Sequence, residues 1–398
     1  MDTTLKNLWL AVLATLTAAC SDLPTTSAAR QVTSPRAALL AAGSDVVIDG
    51  TLDGSVYRLF RPANWNGRLL LYAHGTVRPD NPIALPAEGQ AVILLAALES
   101  TATAFSSFRE NGWAVKDGGQ RTEQLRGIFV SQFGVPTRTY IAGGSQGGLI
   151  ATMLAEQHPA LYTGALALCA PNAGATANSA YVGNARSLFD YFYPGVLPGN
   201  TASLPPDVDV DQDIVAPALA AMTADPSGAA AIAHIDQTPV PGLTPDEVVS
   251  SVGTALFYHG LLLDNLLDHT HDHPIFDNTA TVYSGTLPPE QLAAINGGVA
   301  RYAGSPSGEN YIQHYYDPTG QLRIPLLSIY NTRDPDVPLF NHIAYRARVA
   351  AAGASTFLVE RPVEGFGHCN FGPFEVIAAF ADLVRWAELG LRPALTAR

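Results

Sequence analysis

In the segment Thr139-Tyr140-Ile141-Ala142-Gly143-Gly144-Ser145-Gln146-Gly147-Gly148-Leu149-Ile150-Ala151-Thr152-Met153-Leu154-Ala155, an apolar strand-like run meets a helical run across a serine crowded by glycines. The central letters match G-x-S-x-G, a pattern that also arises by chance, so its flanks carry the weight. A serine on a sharp strand-to-helix turn is forced into strained backbone angles and tolerates only small neighbours. Such a turn lifts the hydroxyl clear of the sheet and points the next N–H, at the start of a helix, at any oxyanion that forms beside it. Ser145 is therefore a candidate nucleophile, with the Gln146 N–H as one oxyanion donor.

Outward from this turn, strand and helix patterns alternate. Strands are expected at Asp45 to Ile48, Ser55 to Phe60, Arg68 to His74, Ala91 to Leu95, Arg138 to Gly143 and Ala165 to Cys169. Helices are expected near Gln120 to Phe133 and from Gln146 to Gln157. Nearly continuous apolar runs such as Leu69-Leu70-Leu71-Tyr72-Ala73 suit strands buried on both faces, and the alternation is that of βαβ units in a parallel sheet. From Pro171 to about Leu322 the pattern turns to proline-rich turns and short helices, too long for a bare loop and best read as a mainly helical lid. The sheet pattern resumes with Ile324 to Tyr330 and Thr356 to Val359. A last helix, Phe374 to Leu389, carries Val376, Phe380, Leu383 and Trp386 at helical spacing and ends at Gly390 and Pro393. The expected layout is a core of residues 45–170 and 323–398 with a lid of residues 171–322 inserted into it.

Composition narrows the function classes. The 398 residues are 47% hydrophobic and 14% charged, and 22 Lys+Arg against 35 Asp+Glu leave a net charge of −13. That field repels phosphate backbones, so nucleic acid is not an expected partner. The N-terminus, with Lys6 before the apolar run Leu8 to Ala14 and then Thr17-Ala18-Ala19-Cys20, reads as an export signal over residues 1–20, too short to span a bilayer permanently. Small residues before Cys20 resemble the bacterial lipobox, although Thr17 stands where Leu is favoured. Lipidation of Cys20, anchoring the chain to a membrane, and plain secretion both remain open. Residues 21–44, rich in Ser, Thr and Ala, read as a tether. A secreted, periplasmic or cell-envelope location follows. Of three cysteines, Cys169 and Cys369 then remain as one potential disulfide or as two buried thiols.

A serine hydroxyl needs a base, and the base a carboxylate that holds it. Downstream, Ile324 to Tyr330 runs into Asn331-Thr332-Arg333-Asp334-Pro335-Asp336-Val337-Pro338, a polar turn with two candidate acids, Asp334 and, second, Asp336. Gly365-Phe366-Gly367-His368-Cys369 places His368 on a glycine-rich loop just before the last helix. His74, His158 and His342 suit the role less well. The trio His269, His271 and His273 alternates on a polar stretch with no further ligand pattern, so no metal is expected there. Leu69 to Thr76 supplies His74-Gly75-Thr76 after a buried strand; His-Gly there resembles the oxyanion motif of the α/β-hydrolase superfamily, a resemblance that implies Thr76 as the second oxyanion N–H. Aromatic residues of the inserted segment, among them Tyr181, Phe189 and Tyr258, fit either an acyl pocket or the lid's own core.

The His-Gly motif, nucleophile, acid and histidine, in this chain order from about Tyr57 to Leu389, resemble the α/β-hydrolase superfamily. The acid turn is similar to that superfamily's, with Asp334 three residues before Val337 and four before Pro338. The doubled Gly147-Gly148 looks like the elbow of its prolyl-oligopeptidase-type and esterase branches. The resemblance implies an α/β fold with a mostly parallel sheet flanked by helices and a large helical lid. It further implies a Ser145, Asp334, His368 triad cleaving a small or polymeric carboxylic ester without a cofactor. A serine peptidase or amidase is the alternative, and a binding protein on the same fold a third. Cys369 beside His368 resembles the tannase and feruloyl-esterase family, in which a disulfide joins the neighbours of the histidine and the serine. Here Gly144 and Gln146 flank the serine, so the resemblance directs the bridge to Cys169 instead.

Overall fold

A computed structural model describes residues 44–394. The expected export signal, Cys20 and nearly all of the expected tether lie outside the described residues. No helix among the described residues is long and apolar enough to cross a membrane.

Eight strands form one sheet in the order β1-β2-β4-β3-β5-β6-β7-β8. The strands are β1 (Val46–Leu52), β2 (Ser55–Arg61), β3 (Arg68–Ala73), β4 (Ala102–Ser106), β5 (Arg138–Gly144), β6 (Gly164–Leu168), β7 (Leu326–Arg333) and β8 (Leu358–Phe366). β1, β2 and β4 pair antiparallel; every pairing from β4 across to β8 is parallel. The central strands are apolar on both sides because both faces are covered. Leu69, Leu71 and Ile141 pack under α2 (Val115–Phe133) and α3 (Gln146–Gln157). Leu70, Tyr72 and Tyr140 pack on the opposite face with α1 (Gly89–Leu98) and α11 (Pro373–Leu389). Gly390, at φ 72°, caps α11 in the left-handed conformation that glycine adopts without strain.

One strand expectation is overturned. Ala91 to Leu95 lies inside helix α1, and the strand that follows β3 in the chain is β4. The run is apolar on every side, which suits a helix pressed onto the sheet as well as a buried strand, and length decides between them. With Gly89 and Ala96 to Leu98 the run is long enough for a helix, whose Val92, Ile93 and Ala96 are buried.

Between β6 and β7 the chain leaves the sheet for a helical layer. Its main helices are α4 (Gly174–Phe192), α5 (Ala216–Ala224), α6 (Ser227–Ala233), α7 (Pro245–His269), α8 (Pro289–Gly298) and α9 (Pro306–Tyr316). Pro at the start of α5, α7, α8 and α9 fits where an N–H would be unpaired in any case. This layer has an apolar core of its own, including Leu188, Phe189, Ile214, Met222, Leu256 and Tyr283. Phe189 is thus core. Helix α10 (Phe340–Ala351) follows β7 and returns the chain to the sheet.

Candidate active site

Ser145 stands between the last residue of β5 and the first of α3, at φ 54° and ψ −127°. A non-glycine residue there is strained, and the surroundings hold it. The Ser145 N–H donates to Leu168 O on β6 (2.8 Å). Glycine is obligatory behind it: a Cβ on Gly147 would overlap the Ala73 carbonyl, and one on Gly143 the Gly147 carbonyl. Helix and strand can therefore cross closely enough for a sharp turn.

The acid turn follows β7. Asp334 is fully buried, and its Oδ1 accepts the N–H groups of Asp336 (2.9 Å) and Val337 (2.9 Å). His368 Nδ1 donates to the same carboxylate, at 2.8 Å from Oδ2 and 3.0 Å from Oδ1. That bond places the ring proton on Nδ1 and leaves Nε2, 3.9 Å from Cys369 Sγ, as the nitrogen able to take up a proton. Burial disfavours the imidazolium, but the hydrogen bond and charge of Asp334, with the charge of Asp336 behind them, outweigh it and raise His368 above the ordinary histidine value. Asp336 instead accepts from Tyr258 Oη of α7 (2.7 Å), and burial raises its carboxyl.

The histidine loop is fastened from two sides. Asn331, buried at the end of β7, accepts the Asn370 N–H (2.7 Å) and donates to Asn370 O (3.1 Å). Cys169 and Cys369 form a disulfide with Cα atoms 5.3 Å apart. Cys169 directly follows Leu168, which accepts the Ser145 N–H, and Cys369 directly follows His368. One covalent link therefore ties the strand beside Ser145 to the loop of His368. Both cysteines have positive φ, 44° and 47°. Among the described residues Ser145 Oγ has no hydrogen-bond partner, an arrangement common before substrate is bound.

Thr76 and Gln146 meet beside the turn. With the amide oriented so that each atom is paired, the buried Gln146 side chain donates to Gly112 O (3.0 Å) and Thr76 Oγ1 (3.1 Å) and accepts from the Ala114 N–H (3.2 Å). The Gln146 N–H lies in the unpaired first turn of α3. Among the described residues, the Thr76 N–H has no acceptor.

The other histidines are engaged elsewhere. His74 is buried, donates to Gly75 O (2.7 Å) and stacks on Phe108, and burial lowers its pKa. His158 lies 3.5 Å from Glu123, and His342 is buried against the Tyr330 ring. His269 packs near Tyr316, His273 faces Ser305 Oγ, and His271 occupies a turn at φ 53°. Nδ1 of His368 and the carboxylates of Asp334 and Asp336 converge within 4.8 Å, but each is already paired within the protein.

Sequence patterns do not reveal Asn331 or Trp113, and they leave Tyr258 between an acyl pocket and the lid's own core. Asn331 reads as an ordinary strand-end residue, and Trp113 comes near the site only through the packing of the loop before α2. Ser145, Thr76, Trp113, Tyr181, Tyr258 and Asp336 are among the residues around a cavity that is partly open to solvent.

No family model and no curated protein matches the sequence. Among solved structures, feruloyl esterase B from Aspergillus oryzae superposes with a TM-score of 0.52 at 15% identity, over 88% of this chain and 81% of that one. An esterase from Aspergillus oryzae gives 0.47 at 15% identity, over 88% of this chain and 80% of that one. Proline iminopeptidase from Mycobacterium smegmatis gives 0.43 at 14% identity, over 87% and 99%. At 15% identity the first of these likenesses speaks for architecture alone, and in that it agrees with the strand order and with the strained turn at Ser145: the chain has the fold of the α/β-hydrolase superfamily.

Proposed function

We propose that this chain is a serine hydrolase that cleaves a carboxylic ester. Ser145 attacks the carbonyl carbon while His368 Nε2 takes its proton, and Asp334 holds the ring and compensates its charge. The tetrahedral oxyanion is received by the N–H groups of Gln146 and Thr76. His368 then protonates the departing alcohol, and water, activated by the same ring, releases the acid from Ser145. The observation that carries this reading is the buried Asp334 bound to His368 Nδ1, on a loop linked covalently to the strand beside Ser145. The reading includes export by residues 1–20, with Cys20 as the site of a lipid anchor if one is attached.

The test is hydrolysis of p-nitrophenyl esters and of a p-nitroanilide peptide by the chain and by its Ser145→Ala variant. Ester turnover that falls by about 10⁴-fold or more in the variant is expected. Turnover of the anilide alone would move the chain to the peptidases, and turnover indifferent to Ser145 would remove the triad.

A further inference from the structure

The cavity that reaches Ser145 has walls of distinct chemistry. From α7 come Leu262, Leu263, Leu266 and Leu267, one turn apart in pairs, and from the segment after α7 come Ile275 and Phe276. From α4 come Ala175, Ser179 and Gly183, small residues at successive turns that keep the facing helix from filling the space. A Cβ on Gly183 would overlap the Phe276 ring, so the glycine also lets that ring reach the wall.

Several polar groups on the lining are paired within the protein. Asn178 donates to Gly174 O and to Asn341 Oδ1, both at 2.8 Å. His259 Nε2 donates to Thr201 O (2.9 Å), and Thr201 Oγ1 pairs with Ser187 Oγ (2.9 Å). Tyr181 Oη and His259 Nδ1 have no partner but are themselves inaccessible. Neither lysine nor arginine lines the cavity, whereas Asp336 does. An anionic acyl group would find no counter-ion there and one repelling carboxylate. An apolar chain loses water and gains the leucine contacts that the empty space lacks.

Which half of the ester enters follows from the proton. His368 has to protonate the departing alcohol, so the alcohol lies on its side; Ser145 and Thr76 line the cavity, and His368 does not. Resting on the esterase reading, we propose that the cavity between α4 and α7 is the acyl site and selects esters of apolar carboxylic acids with chains longer than acetate.

Two measurements test this. In the full chain carrying Ser145→Ala, Trp113 on the cavity wall reports binding by its emission as ethyl butyrate, hexanoate and octanoate are titrated. In the active chain, kcat/KM is measured for the same series and for octyl acetate. Dissociation constants should tighten, and kcat/KM rise, by about fourfold per methylene until the cavity is full. Ethyl octanoate should exceed octyl acetate. Leu263→Trp, at a partly exposed position that tolerates bulk, should erase the gain for octanoate, so that kcat/KM no longer rises along the acyl series. Binding and turnover that ignore acyl length, or a Leu263→Trp profile unchanged from the parent, would overturn the inference while leaving the esterase reading intact. Chain-length-dependent binding without any turnover would overturn the esterase reading, and the acyl role with it.

Discussion

At the level of single residues the proposed reaction turns on the protonation of His368. As a base it must be neutral, so kcat/KM falls tenfold per pH unit below its pKa. Because Asp334 and Asp336 hold that value above the ordinary 6.5, the acid limb of the profile should have its midpoint above 6.5. Asp334→Asn removes both the hydrogen bond that fixes the tautomer and the larger charge, and kcat should drop by about 10⁴-fold. Asp336→Asn is the more informative change. Its carboxylate lies within 4.8 Å of the ring nitrogen but makes no hydrogen bond to it, so the variant should keep its tautomer and most of its turnover. Its acid limb should move down by about one pH unit, the size of a partly screened charge at that range. A limb that stays in place would show that Asp336 does not influence the base. The sequence left Asp334 and Asp336 as rivals, because spacing cannot say which carboxylate turns inward; the paired N–H donors of the turn, which fold onto Asp334 Oδ1, decide it.

At the level of elements, the histidine loop is the part whose position depends most on a long-range link. The Cys169–Cys369 bridge spans 200 residues of chain and encloses the whole helical layer. In the chain-entropy account, closing so long a loop in the unfolded state is worth about 5 kcal/mol, and its loss should lower Tm by on the order of 10 °C. The Cys169→Ser/Cys369→Ser double variant should also lose activity well below its Tm, by about tenfold. Without the bond, two residues at positive φ are free to relax, and one of them adjoins His368. Activity equal to the parent's at 25 °C would confine the bridge to stability and leave the Asn331–Asn370 clamp as the positioning device. The elements that carry the site were legible in the sequence because each has a local cause. Glycines permit the turn at Ser145, continuous apolar runs mark the central strands, and polar turns follow β7 and β8. What was not legible has a tertiary cause. Ala91 to Leu95 carries no periodicity to separate helix from strand, and the cavity between α4 and α7 exists only once two helices distant in sequence face each other.

For the whole molecule, acid stability is governed by histidines that the reaction does not use. His342 is buried against Tyr330, and burial, with the Arg346 charge adding to it, pushes its pKa down to about 3. His259 is buried behind the cavity and lowered to about 4, mainly by burial. Unfolded, both rings bind a proton near the ordinary 6.5; folded, they do not until far lower pH. Between pH 6.5 and about 4 the unfolded chain therefore holds more protons on these two rings, and their contribution lowers stability as the pH falls, against the carboxyls of Asp190, Asp317 and Glu360, whose raised pKa works the other way. Each ring contributes up to a factor of ten in the unfolding constant per pH unit. His368 works in the opposite sense, since its raised pKa gives stability that is present below 6.5 and lost as pH rises through the folded value. His342→Phe keeps the stack on Tyr330 and removes a titrating ring whose Nε2 has no partner. Urea unfolding at pH 6.5, 5.5 and 4.5 should show the parent losing stability steeply and the variant less so, the difference approaching tenfold in the unfolding constant per unit. Equal slopes would mean that His342 is protonated in the native protein, and that the Tyr330 face holds an imidazolium, as a cation–π partner, without penalty.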